Sequence, residues 1–371
     1  MNKAYRYRIY PNKEQEVLLS KTFGCVRVLW NRSVATFNSW NKETNPTPKY
    51  QTSTELRHEL GWMQEVSAAS VQQKEIDFKA FRKNFFSKKR KTKIQRCKFK
   101  NKFDKQSFRL PNQKFDLEES TIRLEKIGHV KVVIDRKPPR GCKYMSVTVT
   151  RDKTNKYFVS VLVEENTQPK FEPTGKSVGV DLGLKHFLTL STGEKIENPR
   201  WFRESQAKLR KAQKNLSRKK KGSTRYNKCK LKVARIHSKT TNQRKWFHHQ
   251  VSLDLVRRFD FIGMEDLNVA GMKKNRCLAK SISDAGWSQF VSFTKYKADW
   301  NCKVVQEIDR FFPSSRLCGD CGAVNHELIL DDREWICTSC GCLHDRDGNA
   351  SHNIEVEALR VFNSAQGVAC A

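Results

Sequence analysis

Apolar and polar positions follow two different periods along the chain, and the change of period divides it into regions. After the first ten residues, apolar side chains recur every three or four positions, which predicts amphipathic helices. The pair Thr52 and Glu55 has the spacing of a capping box, and Asn12 is a further candidate helix start. The apolar stripes comprise Leu19, Phe23, Val26, Trp30, Val34 and Phe37, and later Val71, Phe78, Phe81 and Phe85. We therefore expect a helical domain over residues 12–103.

The period changes to two between residues 106 and 166, where alternation predicts antiparallel strands. The last two strands are expected to form a hairpin across Asp152 to Asn155. The N-terminal segment KAYRYRIY alternates in the same way, so we expect it to join a β-barrel-like domain made of residues 1–11 and 104–172. Beyond it, strands and helices alternate, which favours an α/β domain around one sheet.

One acid interrupts the first apolar strand of that α/β domain. In SVGVDLGLKHF, Asp181 follows Val178 and Val180. A buried charge is unfavourable unless it is paired or binds a metal, so other groups should share its site. Glu265 ends a second apolar strand, FDFIGMEDL, and is a candidate partner. The stretch KSISDAGWSQFVSFTKYKADW is expected to form one helix that begins near Ser283.

Four of the twelve cysteines form two CxxC pairs separated by fifteen residues. Two such pairs supply the closed tetrahedral shell of a structural Zn²⁺ ion. No ligand position is left open in this arrangement, so we expect the zinc to stabilise a fold. The ligands are Cys318, Cys321, Cys337 and Cys340.

The charge of the chain points to a polyanionic partner. It has 72 Lys and Arg against 39 Asp and Glu, a formal net charge of +33. Nucleic acid fits this excess best. A membrane partner is not expected, because no window approaches the roughly 18 consecutive apolar residues of a spanning helix. The N-terminus lacks the apolar core of a signal peptide, so we expect a cytoplasmic protein.

Two segments concentrate the positive charge. Residues 79–105 hold 13 Lys and Arg with interleaved phenylalanines, a composition typical of nucleic-acid channels. Residues 200–245 hold 18 Lys and Arg and one acid, and predict two long basic helices against phosphates, the second ending near Arg258. The candidate nucleic-acid contacts from these segments are Lys88, Lys89, Arg90, Arg218, Lys219 and Lys220.

Asp345 and Asp347 follow the zinc cysteines, in HDRDGNASHNI. Acids in the first turn of a helix often serve only the helix dipole, and this is the alternative for both residues. The order GVDLG, FIGMEDL, SISDAGW, FFPSSRLCGDCG, CTSCG and HDRDGNASHNI resembles the TnpB family of RNA-guided nucleases, which is related to type V CRISPR effectors. The opening RYRIYPNKEQ and the later RKNFF extend the resemblance over nearly the whole chain.

This resemblance implies a multidomain fold: an α/β ribonuclease H-like (RuvC) nuclease domain with an inserted zinc ribbon, a β-barrel wedge domain and a helical recognition domain. The nuclease domain would comprise residues 173–313 and 343–371, and the ribbon residues 314–342. Asp181, Glu265 and Asp347 would be catalytic and hold two Mg²⁺ ions, whereas Asp266 and Asp345 are left out. Carboxylates bridge such cation pairs well, so the chemistry of the residues agrees with the resemblance.

The resemblance also implies partners. A guide RNA from the transposon end would pair with a double-stranded DNA target, while the protein reads a short target-adjacent motif and makes double-strand breaks. We expect a monomeric protein with one RNA, in the cytoplasm of a bacterium or archaeon and nucleoid-associated when bound to DNA. The stretch that matches the motif-reading part of the family contains Tyr50, Thr52, Ser53 and Gln72.

Two alternative functions remain at this point. A guided DNA-binding repressor that does not cut would be expected to lack one of the acids, and all three are present. An accessory transposition protein that joins DNA ends would need a different site. His248 and His249 could suggest such a site, but they are adjacent on a basic helix. We therefore expect them to lie at the surface or contact RNA.

Overall fold

A computed structural model of the chain describes residues 1–40, 48–87, 97–165, 170–329 and 332–367. The chain divides into two units, Met1–Asn166 and Thr167–Ala371, and each contains its own sheet. The finer division into four domains stays a prediction. Among the helices of the described ranges, none has both the length and the apolar character needed to cross a membrane.

The described part of the first unit has three α-helices, and the first two begin where the sequence predicts. They are α1 (Lys13–Ser39), α2 (Ser53–Glu59) and α3 (Ala68–Phe86). The side chains of Asn12 and Gln15 form a capping box at α1, and Thr52 and Glu55 form the predicted one at α2. Capping satisfies backbone N–H groups that the first turn leaves unpaired. The apolar stripes of α1 and α3 meet, with Phe37 and Phe78 packed edge to face.

Seven strands of the first unit form one antiparallel sheet, in the order β2-β6-β7-β1-β5-β4-β3. The predicted return of the N-terminal strand is confirmed, because β1 pairs with β7 on one side and with β5 on the other. The hydrogen-bonded order by itself describes a sheet, and its closure into a barrel stays a prediction. The strands are β1 (Asn2–Tyr10), β2 (Gln106–Pro111), β3 (Phe115–Leu117), β4 (Thr121–Leu124), β5 (Gly128–Val133), β6 (Lys143–Arg151) and β7 (Tyr157–Glu164).

The second unit contains a five-stranded sheet with the order β10-β9-β8-β11-β12. Strands β8, β11 and β12 are parallel, whereas β9 and β10 form an antiparallel hairpin. A separate two-stranded ladder, β13 with β14, belongs to the cysteine-rich segment. The strands are β8 (Ser177–Asp181), β9 (His186–Leu190), β10 (Lys195–Glu197), β11 (Phe261–Glu265), β12 (Val304–Ile308), β13 (Glu334–Ile336) and β14 (Leu343–Asp345).

Six helices accompany this sheet. The two long basic helices are confirmed as α4 and α5, and α5 ends at the predicted Arg258. Ser223 caps α5 by accepting a hydrogen bond from the backbone N–H of Tyr226. The helices are α4 (Trp201–Ser217), α5 (Thr224–Arg258), α6 (Val269–Met272), α7 (Ala279–Ala285), α8 (Trp287–Trp300) and α9 (Arg346–Gly367).

The single helix predicted over KSISDAGWSQF is wrong, because Gly286 divides it into α7 and α8. Gly286 has φ +66°, a left-handed conformation that ends one helix and begins the next. Ser283 therefore lies inside α7 and caps nothing. A Cβ atom on Gly286 would also lie 3.2 Å from Cε1 of His248, so the break sits in close contact with α5.

Helix α9 lies directly on the two central strands because both carry a glycine at the contact. A Cβ atom on Gly179 of β8 would lie 1.9 Å from the carbonyl oxygen of Ser351. One on Gly263 of β11 would lie 2.7 Å from Cβ of Ala358. Only a residue without a side chain permits this approach. The two glycines thereby allow residues 351–358 of α9 to pack on the middle of β8 and β11.

Candidate active site and zinc centre

Three carboxylates lie at one edge of the five-stranded sheet. Asp181 and Glu265 are the last residues of the parallel strands β8 and β11, whose register pairs Val180 with Met264 just before them. Asp347 is in the first turn of α9, which packs on both strands. The sequence-predicted acids are thus neighbours, because parallel strands present their carboxyl ends at the same edge.

Electrostatics at this edge disfavour three ionised acids. Burial raises the pKa of Asp181 to about 8, and the charges of Glu265 and Asp347 add to the rise, while Arg346 opposes it. Burial also raises the pKa of Glu265, against the opposing effect of its hydrogen bond from Ser314. Acids that lie close together in a poorly solvated site retain their protons, because ionisation would bring like charges together. Binding of a cation nearby would favour release of these protons.

Two of the three carboxylates also have partners of their own. The hydroxyl of Ser314 donates to Oε1 of Glu265, and Arg333 lies 3.7 Å from Asp347. Among the described residues, ligand atoms of His, Cys, Asp and Glu gather within 4.8 Å of one another in two overlapping sets, both at the zinc cysteines. The three acids therefore interact but do not close into one tight cluster. Their oxygens are the hard donors that Mg²⁺ prefers, so the donor set fits that ion.

Two further acids beside the site are engaged elsewhere. Asp266 forms an ion pair with Arg310. Asp345 accepts a hydrogen bond from the backbone N–H of Gly348 at 2.7 Å and pairs with Lys195 at 2.8 Å. The capping alternative thus describes Asp345, and these contacts agree with leaving both acids out of the candidate set.

A cleft of about 450 Å³ opens beside Glu265. Its wall combines apolar and aromatic side chains with polar ones, and Lys295 in the wall is paired with Glu307 at 2.7 Å. A mixed surface of this kind can accept the base and sugar of a nucleotide next to the carboxylates. The lining includes Leu182, Leu267, Val269, Trp287, Val291 and Tyr296.

The sulfur atoms of the four predicted zinc cysteines lie within 4.8 Å of one another. Cys318 and Cys340 are 3.6 Å apart, as are Cys321 and Cys337. A tetrahedron of sulfurs at the usual Zn–S distance has an edge of about 3.8 Å, whereas a disulfide is about 2.05 Å long. The spacing therefore fits Zn²⁺, and every described cysteine is free of a disulfide.

Sequence reasoning missed a histidine beside this cluster. His344 is buried, and its Nε2 lies 3.0 Å from the sulfur of Cys318 and 3.6 Å from the carboxylate of Asp320. A ring N–H donated to a metal-bound thiolate orients the ligand from outside the metal shell. The signal available in the sequence was the position of His344, between the fourth predicted zinc ligand and Asp345.

The candidate nucleic-acid contacts have varied environments. Arg218, Lys219 and Lys220 are exposed between α4 and α5. Gln72 is exposed, Tyr50 and Thr52 are half-buried, and Ser53 is buried. The ring of Tyr50 packs under the guanidinium of Arg82. Lys88, Lys89 and Arg90 lie outside the described residues, and contact of any of these side chains with nucleic acid stays a prediction.

The expected surface position of His248 is wrong, because the side chain is fully buried. Its Nε2 donates to the carbonyl oxygen of Ala285 at 2.8 Å, and burial lowers its pKa to about 4. The ring stacks on Phe187 in the core of the unit. Its neighbour His249 is half-buried and stacks on Phe293, with ring centroids 4.1 Å apart.

Three protein families match parts of the chain. The family described as “Probable transposase” matches residues 160–276, and “Cas12f1-like, TNB domain” matches residues 287–354, which include the four clustered cysteines. A “Helix-turn-helix domain” matches residues 1–45. The described part of that last range, residues 1–40, forms the strand β1 and the single helix α1.

Two relatives cover almost the whole chain. A protein of Streptomyces pristinaespiralis is 38% identical over 375 residues, which cover 99% of this chain and 92% of the relative. A protein of Escherichia coli K12, InsQ, is 28% identical over 377 residues, 95% of this chain and 91% of the relative. Both are named “Putative RNA-guided DNA endonuclease”.

A solved structure shares the fold. The protein in a cryo-EM structure of a Cas12f1-sgRNA-target DNA complex superposes with a TM-score of 0.56 at 12% identity. The match covers 96% of this chain and 98% of the other. The likeness therefore covers a multidomain fold of mixed α and β elements, and at this identity it concerns the fold alone.

Proposed function

The chain belongs to the TnpB family, and on this premise we propose that it is an RNA-guided DNA endonuclease that makes double-strand breaks. Its guide RNA would come from the transposon end and would pair with one target strand. The protein would read a short target-adjacent motif and the nucleic-acid backbone. We further propose a monomeric protein with one bound RNA.

The observation that carries this proposal is the meeting of three acids from distant parts of the chain at one sheet edge. Asp181, Glu265 and Asp347 would form a RuvC-type site in a ribonuclease H-like domain of residues 173–313 and 343–371. Mg²⁺ ions bound there would activate water and stabilise the leaving oxygen. The three carboxylates would ionise to hold the ions; without the ions, burial first and then the charges of Glu265 and Asp347 raise the pKa of Asp181.

The surroundings of the site support a nucleic-acid strand as substrate. The cleft beside Glu265 would accept nucleotides of the scissile strand, with Trp287 and Tyr296 excluding water from the carboxylates. Ser314 would hold the carboxylate of Glu265 in one orientation. Positioning of this kind supplies much of the rate enhancement in phosphodiester chemistry.

Binding of RNA and DNA would depend mainly on the basic helices α4 and α5. A cavity of about 320 Å³ between them combines basic side chains with the indole of Trp201, a pairing suited to a phosphate and a base. The exposed Arg218, Lys219 and Lys220 extend this surface. The basic members of the cavity wall are Lys208, Lys232, Arg235 and Lys239.

Residues 1–11 and 104–172 would be a wedge barrel and residues 12–103 a helical recognition domain. Exposed Gln72, together with Tyr50, Thr52 and Ser53, would contribute to reading the target-adjacent motif. The zinc ribbon of residues 314–342 would have a structural role, because four thiolates this close together would complete the tetrahedral shell of a zinc ion.

The decisive experiment compares Asp181→Ala with the wild type, each purified with its copurifying RNA. A plasmid library with a randomised adjacent motif is incubated with Mg²⁺, and cut products are sequenced. We expect Asp181→Ala to lose cleavage and to keep RNA-dependent DNA binding. Asp254→Ala, which removes an exposed carboxylate on α5, is the matched control and should cut normally.

The outcomes separate the alternatives. Cleavage retained by Asp181→Ala would contradict the assignment of the site. RNA-dependent DNA binding by the wild type without any cleavage would indicate a guided repressor. Joining of transposon ends in a strand-transfer assay would indicate a transposition enzyme.

A further inference from the structure

Glu265 is connected to the zinc knuckle through the segment that joins them. Ser314, whose hydroxyl donates to Glu265, is buried and lies four residues before Cys318. Leu317, between them, forms an isolated bridge with Val324 in the knuckle. A short backbone segment therefore has a candidate catalytic carboxylate at one end and a zinc ligand at the other.

Two buried asparagines on α9 hold this segment. Nδ2 of Asn353 donates to the carbonyl oxygens of Ser314 and Leu317 at 2.8 and 2.7 Å. Nδ2 of Asn349 donates to Leu317 at 2.6 Å, and its Oδ1 accepts from the backbone N–H of Gly319 at 2.9 Å. The asparagines are one helical turn apart, so they face the segment together.

Helix α9 also carries Asp347 in its first turn. Asp347 precedes Asn349 by two residues, so the carboxylate and the clamped segment belong to one rigid element. A Cβ atom on Gly319 would lie 3.0 Å from Oδ1 of Asn349, so the knuckle is also in close contact with the helix. Displacement of the knuckle would therefore disturb both Ser314 and α9.

We propose that Ser314, Asn349 and Asn353 form a clamp that positions Glu265 relative to Asp347 and couples the zinc knuckle to the Mg²⁺ site. The inference rests on the proposed function, in which both acids bind Mg²⁺. Partners outside a metal shell orient the ligands, and removing one typically weakens metal binding by about 10- to 100-fold. The three residues are positioning residues, since they act through Glu265 and α9.

Coupling of this kind is reciprocal: if an intact knuckle favours Mg²⁺ binding, Mg²⁺ must favour zinc retention by the same factor. The first measurement is Mn²⁺ affinity of the full-length chain, by calorimetry, with Mn²⁺ as the probe for the Mg²⁺ site. We expect at least a tenfold loss in Ser314→Ala and recovery in Ser314→Thr, which keeps the hydroxyl. Ser315→Ala is the matched control, because Ser315 is the half-exposed neighbour and should bind as the wild type does.

The second measurement is the fraction of zinc retained against a competing chelator, with and without Mg²⁺. Mg²⁺ should increase retention in the wild type and Ser315→Ala, and should have little effect in Ser314→Ala. Asn349→Asp keeps the side-chain shape but removes the N–H group that donates to Leu317. It serves as the second variant if Ser314→Ala does not hold zinc. It should lose the Mg²⁺ effect as well.

The clamp is refuted if Ser314→Ala binds Mn²⁺ as tightly as Ser315→Ala does, or if Mg²⁺ leaves zinc retention in the wild type unchanged. Those results would leave the proposed nuclease intact if the wild type still binds Mn²⁺ and Asp181→Ala still abolishes cleavage. A wild type that binds no Mn²⁺ would instead contradict the proposed function. It would also refute the clamp, which rests on that function.

Discussion

The crowding of carboxylates at the sheet edge predicts that Asp181→Asn stabilises the Mg²⁺-free protein. In the folded state the pKa of Asp181 is raised to about 8 by burial and by its acidic neighbours, from an ordinary value of 3.8. Between these two pH values the folded state keeps a proton that the unfolded chain has lost. Stability therefore falls as pH rises through this window, and the substitution removes that penalty.

The magnitude follows from the width of the window. Each pH unit within it costs about 1.4 kcal/mol, so the penalty reaches about 4 kcal/mol at pH 7 and levels off above pH 8. For the second unit, removal of a penalty of this size corresponds to a rise in Tm on the order of 10 °C. The difference between Asp181→Asn and the wild type should become small near pH 4, because the unfolded chain regains the proton as pH falls toward 3.8.

The assay is thermal unfolding from pH 4 to pH 9 in buffer freed of divalent ions without a chelator, so that zinc is retained. Asp254→Asn, an exposed carboxylate on α5, is the control and should show no such trend. Added Mg²⁺ should stabilise the wild type more than Asp181→Asn, because the ion needs the ionised acid. A stability difference that does not change with pH, or a wild type more stable than Asp181→Asn at pH 8 without Mg²⁺, would refute the reasoning.

Three further predictions concern other parts of the chain. Gly179→Ala should destabilise the protein by at least about 3 kcal/mol in thermal unfolding, because the added methyl group meets backbone of α9, whereas Gly24→Ala on α1 has open space and should be tolerated. Removal of zinc by a chelator should disorder the ribbon and abolish cleavage, and atomic absorption should find one zinc per active chain. Replacing Arg218, Lys219 and Lys220 together by Ala should make the affinity for nucleic acid less dependent on salt. If all three contact phosphates, the negative slope of log affinity against log salt should become shallower by about 2 to 3.

Local signals predicted most of the elements, because their causes are local. The capping box at Thr52 and Glu55, the N-cap at Asn12 and the end of α5 at Arg258 each depend on a few adjacent residues. The meeting of Asp181 and Glu265 at one sheet edge was predictable for a related reason: each acid ends an apolar strand, and parallel strands end together. The catalytic role of these acids stays a prediction, since their position alone does not show chemistry.

The errors arise where a distant element decides the local structure. SISDAGW has helical periodicity throughout, but Gly286 takes a left-handed conformation that ends α7, at a point where α5 is in close contact. His248 sits in a basic stretch that suggested exposure, yet its turn of α5 faces the aromatic core around Phe187. Periodicity averaged over a long charged helix cannot locate which of its turns are buried, because the apolar positions are too sparse along most of its length.

The glycines in SVGVD and FIGME are another case in which a distant element explains a local feature of the sequence. In the sequence, Gly179 and Gly263 look like weak points in two strands, since glycine lowers strand propensity. The reason for them lies far along the chain, in α9, which approaches each strand more closely than any side chain would allow. That approach places Asp347 beside Asp181 and Glu265. The residues that bring the three carboxylates together thus include two that have no side chain, and their role becomes visible only when the helix is in place.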